Sequence, residues 1–282
     1  MIKSTSRWRA PAAIALGLTM TLTACKSDAP TYRIPDWFGF NFSWSAEPGV
    51  GLTTDAAVIA RAYLESAFIS YRTDPIGNPW PTPNKFSYPG YERAYQPYGS
   101  AEMRLDGMSM PQEEPANTRV VGTFYARLLE LKTDDAAQGS QTPWHAVMCV
   151  WVDGLDLQSP PDKDPFGGRY HPFVNVGTGG SLNGTGRTVR LAMQQPPSGQ
   201  PTRLSKGEGT QRYPSTDVFG DWKITDAKMT DSGTDSPGDP NVCADRADNP
   251  VPTALRARNP LTPSDTPAPT LDPYPGWPAS KT

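Results

Sequence analysis

The side chains able to do acid–base, nucleophilic or metal chemistry are first of all scarce. Two histidines, His145 and His171, stand in 282 residues. No His-Glu-x-x-His spacing sets them on one helix face with a base between them, so a zinc-peptidase type of site is not expected. A His–Asp–Ser set would have to be assembled from distant segments, and no spacing selects one. The run Gly177-Thr178-Gly179-Gly180-Ser181-Leu182-Asn183-Gly184-Thr185-Gly186 has enough glycine to cradle a phosphate. It lacks the Gly-Lys-Ser/Thr ending of a P-loop, and Leu182 stands where a dinucleotide fingerprint needs its third glycine. Asn183 also occupies the glycine position of a nucleophile elbow built on Ser181. The run reads as a turn between strands. Asp162-Lys163-Asp164-Pro165-Phe166-Gly167 opens like a calcium loop, yet Phe166 replaces an oxygen ligand and Phe173 sits where the bidentate Glu belongs. A looser set of Asp153, Asp156, Asp162 and Asp164 has solvated acids as its default reading. No catalytic residue, metal site or cofactor is therefore assigned.

The chemistry that does stand out is at the start of the chain. Lys3, Arg7 and Arg9 precede an apolar run from about Ala10 to Met20, which closes on Leu22-Thr23-Ala24-Cys25. A basic head, a short apolar core and a small-residue exit describe a secretory signal, because the core is shorter than the ~20 residues a spanning helix needs. Leu-Thr-Ala-Cys resembles the lipobox of bacterial lipoproteins, and that resemblance covers residues 1–25. It implies cleavage before Cys25, diacylation of that cysteine, and residence at the extracytoplasmic face of the cell membrane. Two acyl chains suffice for stable anchoring where one does not. Removal of residues 1–24 takes away three basic residues and no acid, so the net charge moves from −3 to −6. An acidic surface argues against nucleic acid as a partner. Cys149 and Cys243 are the remaining cysteines, an even count in a chain expected to be exported, and are expected to pair. The bridge would close a loop of roughly 95 residues and contribute ~4 kcal/mol in the chain-entropy account.

These features need a folded body to position them. Residues 25–52 read as a lipidated spacer followed by an aromatic arm, in which Phe38, Phe40, Phe42 and Trp44 alternate with Gly39, Asn41 and Ser43. Such rings either cover the core as a strand or, with Trp37, form a patch that touches bilayer or partner. The irregular stretch Gly77–Gly99 carries Trp80, Tyr88 and Tyr91, whose rings either wrap the domain or stack on sugars or a peptide. Trp37, Phe38, Phe40, Phe42, Trp44, Trp80, Tyr88 and Tyr91 are the candidate contact surface. A helix is expected over about 54–72, capped by Thr53 or Thr54, with Asp55 at its positive end. Ala56, Ala57, Ala60, Leu64, Ala67 and Tyr71 form its apolar stripe, opposite Arg61, Glu65 and Arg72, with Arg61–Glu65 as a surface ion pair. Asp74-Pro75 ends it.

Strands are expected at 103–105, 144–153, 188–193 and 219–229, while 119–132 satisfies a helical stripe and a long strand equally. A polar turn over 134–142 would join 119–132 and 144–153 as a hairpin. The fold class is α+β: an N-terminal helix packed on a curved antiparallel β-sheet. That order, ending in Gly220-Asp221-Trp222-Lys223-Ile224-Thr225-Asp226, resembles NTF2-like domains over residues 53–230. With the lipobox, the chain resembles exported actinobacterial lipoproteins containing such domains. Residues 231–282, with Pro260, Pro263, Pro267, Pro269, Pro273, Pro275 and Pro278, read as an extended, mostly disordered tail, with a folded rim docked through Trp277 as the alternative. The expected function is a non-enzymatic accessory or ligand-binding component of the cell envelope. An NTF2-like pocket enzyme and a cell-wall glycan-binding module are the alternatives. The expected partners are the membrane through the lipid anchor, and an envelope protein or a wall glycan.

Overall fold

The alternating rings of residues 38–44 lie in strand β1 (Phe38–Ala46), which is an integral strand of the main sheet and not a separate arm. The computed structural model describes residues 32–73, 82–95, 118–133, 142–158, 160–162, 167–173, 186–197, 207–230, 240–259 and 262–279. Residues 1–31, Cys25 among them, Trp80, the expected strand at 103–105, nearly all of the 134–142 turn and of the Gly177–Gly186 run fall outside these residues. After β1 come helices α1 (Asp55–Arg72) and α2 (Tyr91–Ala94), then strands β2 (Arg119–Thr133), β3 (Pro143–Trp151), β4 (Leu155–Gln158), β5 (His171–Pro172), β6 (Arg187–Gln194) and β7 (Lys223–Thr230), and a short α3 (Thr253–Arg256).

The ambiguous stretch 119–132 is strand. Its helical look arises because β2 is covered on both faces: Phe124 and Leu128 join the core on the α1 side, while Tyr125 joins a smaller cluster on the other. A register shift between Leu128 and Glu130 against β3 further breaks the simple alternation. β2 pairs antiparallel with β3 over 125–133 and with β4 over 119–122, so β4 continues the line of β3 along one edge. The opposite edge of β2 carries β1, and that pair is parallel. The sheet is therefore mixed and not wholly antiparallel as expected. The reason is that the β1–β2 connection crosses through α1, and a crossover returns the chain in its starting direction. β3, β6 and β7 extend the sheet by antiparallel pairing, giving seven strands among the described residues.

Gly122 sits at the bend where β2 passes from β4 to β3. Its φ is +106°, and a Cβ there would lie 2.2 Å from the Gly154 carbonyl oxygen. Only glycine meets both conditions.

α1 departs from its expected amphipathicity. Every residue from Ala56 to Tyr71 is buried, including Arg61 and Glu65, which are not a surface ion pair. One face meets the sheet, where Phe68 stacks against Phe40, Phe42 and Phe124. The remaining faces are covered by Tyr88 and Tyr91, by Val218, Phe219 and Trp222, and by Trp277, all members of the same core cluster. Thr54 stands at the N-cap, though its side chain makes no cap bond. At the other end the Thr73 hydroxyl donates to the Ile69 carbonyl at 2.8 Å.

The proline-rich segment is the largest correction. Residues 32–282 form one compact unit, and the described parts of 240–279 make a second layer on the sheet instead of a disordered tail. Cys243, Val251 and Leu255 cover Tyr125, Cys149 and Trp151 on the face away from α1. The Ala268 N–H donates to the buried Asp156 carboxylate, which also pairs with Arg258 at 2.7 Å. The chain then rounds the free edge of β1, where Tyr274 N donates to Phe42 O (3.1 Å) and Trp44 N to Tyr274 O (2.6 Å). Trp277 ends buried on the α1 side. A few deep anchors joined to backbone hydrogen bonds hold this segment. Its prolines, already limited in φ, lose less entropy on ordering than other residues would.

Candidate functional site

The side chains with unusual chemistry converge around α1 and not on the surface. Arg61 and Glu65, one helical turn apart, are 0% and 1% exposed. Glu65 accepts three hydrogen bonds: Trp44 Nε1–H to Oε1 (2.8 Å), Tyr88 O–H to Oε2 (2.7 Å) and Trp277 Nε1–H to Oε2 (2.8 Å). Arg61 donates to the carbonyls of Leu52 (3.2 Å), Gly207 (2.7 Å) and Pro275 (2.6 Å), and its guanidinium lies 4.8 Å from the Trp277 ring centre. Burial raises the Glu65 pKa, opposed first by the Arg61 charge and then by the hydrogen bonds from Tyr88, Trp277 and Trp44. Burial lowers that of Arg61, opposed by Glu65. Burial also pushes the Tyr213 hydroxyl up to about 12, against the nearby Arg212 charge.

This hub is built from β1 (Trp44), α1 (Arg61, Glu65), the 82–95 segment (Tyr88) and the C-terminal segment (Trp277). Backbone pairing clamps the last of these: Trp277 N donates to Gln211 O at 2.8 Å and Gln211 N to Trp277 O at 2.9 Å. Both carboxylate oxygens of Glu65 are occupied by donors that belong to the fold. The arrangement joins four segments; as a general acid or base Glu65 would lack access to a substrate.

A cleft of about 530 Å³ opens next to the hub. It is lined by Trp44, Ser45, Ala46, Val50, Leu52 and Thr53, faced by Glu208, Tyr274 and Pro275. Trp44 and Pro275 thus belong to both the hub and the cleft. Tyr274 is exposed, whereas most of the rings among the described residues are buried.

The expected contact surface is corrected accordingly. Phe38, Phe40, Phe42 and Trp44 are core, stacked edge-to-face in a ladder (Phe38–Phe40 and Phe40–Phe42 centroids both 5.3 Å) that faces α1. Tyr88 and Tyr91 are also buried, Tyr91 against Tyr63 and Phe219. The physical reason is that an all-round buried helix needs apolar cover on every side, and these rings supply it. Trp37 is half-buried and packs on Phe38 at 4.2 Å. Trp80 and Cys25 lie outside the described residues. Cys149 and Cys243 are bonded, with Cα atoms 5.5 Å apart. Asp156, one of the loosely grouped acids, is committed to Arg258 and Ala268, and the described residues contain no cluster arranged to hold a metal ion. The sequence pattern placed Arg61 and Glu65 on the surface, offered Trp277 only as the anchor of an alternative rim, and singled out neither Glu208 nor Tyr274. The signal for the first two was a charged pair inside an alanine-rich helix, and for Trp277 and Tyr274 two large rings among prolines.

Among the described residues no helix is long and apolar enough to cross a membrane. The chain matches no protein-family model, and no curated protein sequence matches it.

Proposed function

We propose that this chain is an exported lipoprotein, anchored at the extracytoplasmic face of a cell membrane through acylated Cys25. Its α+β domain, which we read as NTF2-like, acts there without catalysis as an accessory or ligand-binding component of the envelope. The observation that carries the proposal is the apolar run closing on Leu22-Thr23-Ala24-Cys25 behind three basic residues. The Cys149–Cys243 bond supports it, because such bonds persist in oxidising compartments. The NTF2-like reading draws on one long helix over the sheet face and on the Trp222-Lys223-Ile224 entry to β7. The occupied state of Glu65 favours binding over catalysis.

The test is expression of the full chain in a bacterial host fed an alkyne analogue of palmitate. The wild type is expected to take up label and sediment with membranes, and Cys25→Ala to take up none and leave the membrane fraction. Unlabelled wild-type protein recovered from the cytoplasm would overturn the proposal.

A further inference from the structure

We infer that the cleft between the end of β1 and the Pro273-Tyr274-Pro275 turn is a binding site for a neutral saccharide, with Tyr274 as its stacking platform and Glu208 as a hydrogen-bond anchor. The inference concerns the ligand of the proposed function. It rests on the exported placement only for the supply of such sugars.

Tyr274 is 64% exposed. A single exposed ring is ordinary by itself; beside a concave surface its apolar face is available for a sugar ring to stack on. The backbone that carries the ring is fixed. It is pinned to Phe42 and Trp44 by two hydrogen bonds (3.1 and 2.6 Å), and the Pro275 carbonyl is gripped by the buried Arg61 at 2.6 Å. A backbone fixed before the ligand arrives loses little entropy on binding. The buried hub therefore has a use: Glu65 and Arg61, through Trp44, Trp277 and Pro275, set the position of a surface residue.

The lining decides the ligand class. Ala46, Val50, Leu52 and Pro275 give an apolar wall with Trp44 buried beneath it, while Thr53 and Glu208 give acceptors and donors. The lining holds one acid and no base, so phosphate and carboxylate ligands are repelled. A molecule with one apolar face and an edge of hydroxyls meets both surfaces, and a pyranose has that form. The volume, about 530 Å³, suits a short saccharide. A lone ring is not the cage that quaternary ammonium groups need, so choline serves as the control cation.

The test is saturation-transfer NMR and calorimetry on the purified full chain with neutral trisaccharides of N-acetylglucosamine, glucose and mannose, beside glucuronic acid and choline. At least one neutral trisaccharide is expected to bind at micromolar to millimolar concentration, and glucuronic acid and choline are not. Tyr274→Ala is expected to weaken binding about tenfold, with Tyr274→Phe retaining it, since the ring face makes the contact. Thr53→Trp, a change at an exposed position, fills the cleft and is expected to abolish binding. No response to any neutral trisaccharide, equal binding by the Tyr274→Ala and Thr53→Trp variants, or preference for choline or glucuronic acid would each overturn the inference. None of these readouts depends on acylation, so a failure here and a failure of the Cys25 test are separate results.

Discussion

Glu65 is the residue on which most of the α1 side depends. Three donors from three other segments meet its carboxylate, and its charge faces Arg61 across one helical turn. Burial raises its folded-state pKa above the unfolded value of ~4.3. A raised acid favours the protonated form in the folded state. Its contribution is thus fully present below the unfolded value and lost as pH rises through the folded one. The Glu65→Gln variant has no such term. The stability difference between wild type and Glu65→Gln is expected to narrow as pH rises from acid to neutral, measured by urea unfolding at several pH values. Asp248, which hydrogen bonds from Arg246 hold below the ordinary carboxylate range, acts in the opposite direction. It is present in both proteins and cancels in the difference. At the acid end the amide turns an N–H toward an indole N–H, that of Trp44 or of Trp277 according to its orientation, at a cost of about 1–3 kcal/mol. A constant difference at every pH would show that the Glu65 carboxyl does not titrate differently in the folded state.

Among the elements, β2 has the most demanding position. It carries β1 on one edge and the β3–β4 line on the other, with core on both faces. Its bend needs Gly122, where φ is +106° and the Gly154 carbonyl occupies the space a side chain would take. Gly122→Ala adds backbone strain of roughly 1–3 kcal/mol before any clash is relieved. For a domain of this size, a Tm lower by at least about 2 °C is expected in thermal unfolding. An unchanged Tm would mean that the bend relaxes freely. β1 shows how the same sheet manages an exposed edge. Its outer carbonyls are met by Arg212, whose Nη2 donates to Phe38 O (2.9 Å) and Phe40 O (2.6 Å), and its amides and carbonyls further along by Tyr274. That cover leaves no open template for another strand at this stretch.

At the scale of the whole molecule, the C-terminal segment joins what the sheet separates. It is bonded to β3 through Cys149–Cys243, paired to β4 through Arg258–Asp156, and buried beside α1 through Trp277. An ion network of Arg127, Glu47, Arg246 and Asp248 fastens its first turn to β1 and β2. Replacing both cysteines by alanine is expected to lower stability by roughly 2–5 kcal/mol. The covering layer should then open before the sheet does. Limited proteolysis read by mass spectrometry is expected to cut first within 240–279 in that variant and to leave the wild type intact there. Simultaneous cutting throughout the sheet would show that layer and sheet unfold as a unit.

Local pattern was enough to read the α+β class, α1 to within a residue at its start, and β1, β3, β6 and β7, because period and capping chemistry act within a few neighbouring residues. The pairing of Cys149 with Cys243 was legible from their even count in a chain that reads as exported. Tertiary structure alone decided that β2 is a strand, since cover on two faces imitates a helical stripe in sequence. It alone turned Arg61 and Glu65 inward, because among their partners are Trp277 and the carbonyls of Gly207 and Pro275, more than 140 positions away. It also decided that Phe38, Phe40, Phe42, Trp44, Tyr88 and Tyr91 are core, and that the described part of the proline-rich tail is a second layer. What a ring or a charge faces is set by segments distant in the chain, and spacing records only the chain's own neighbours.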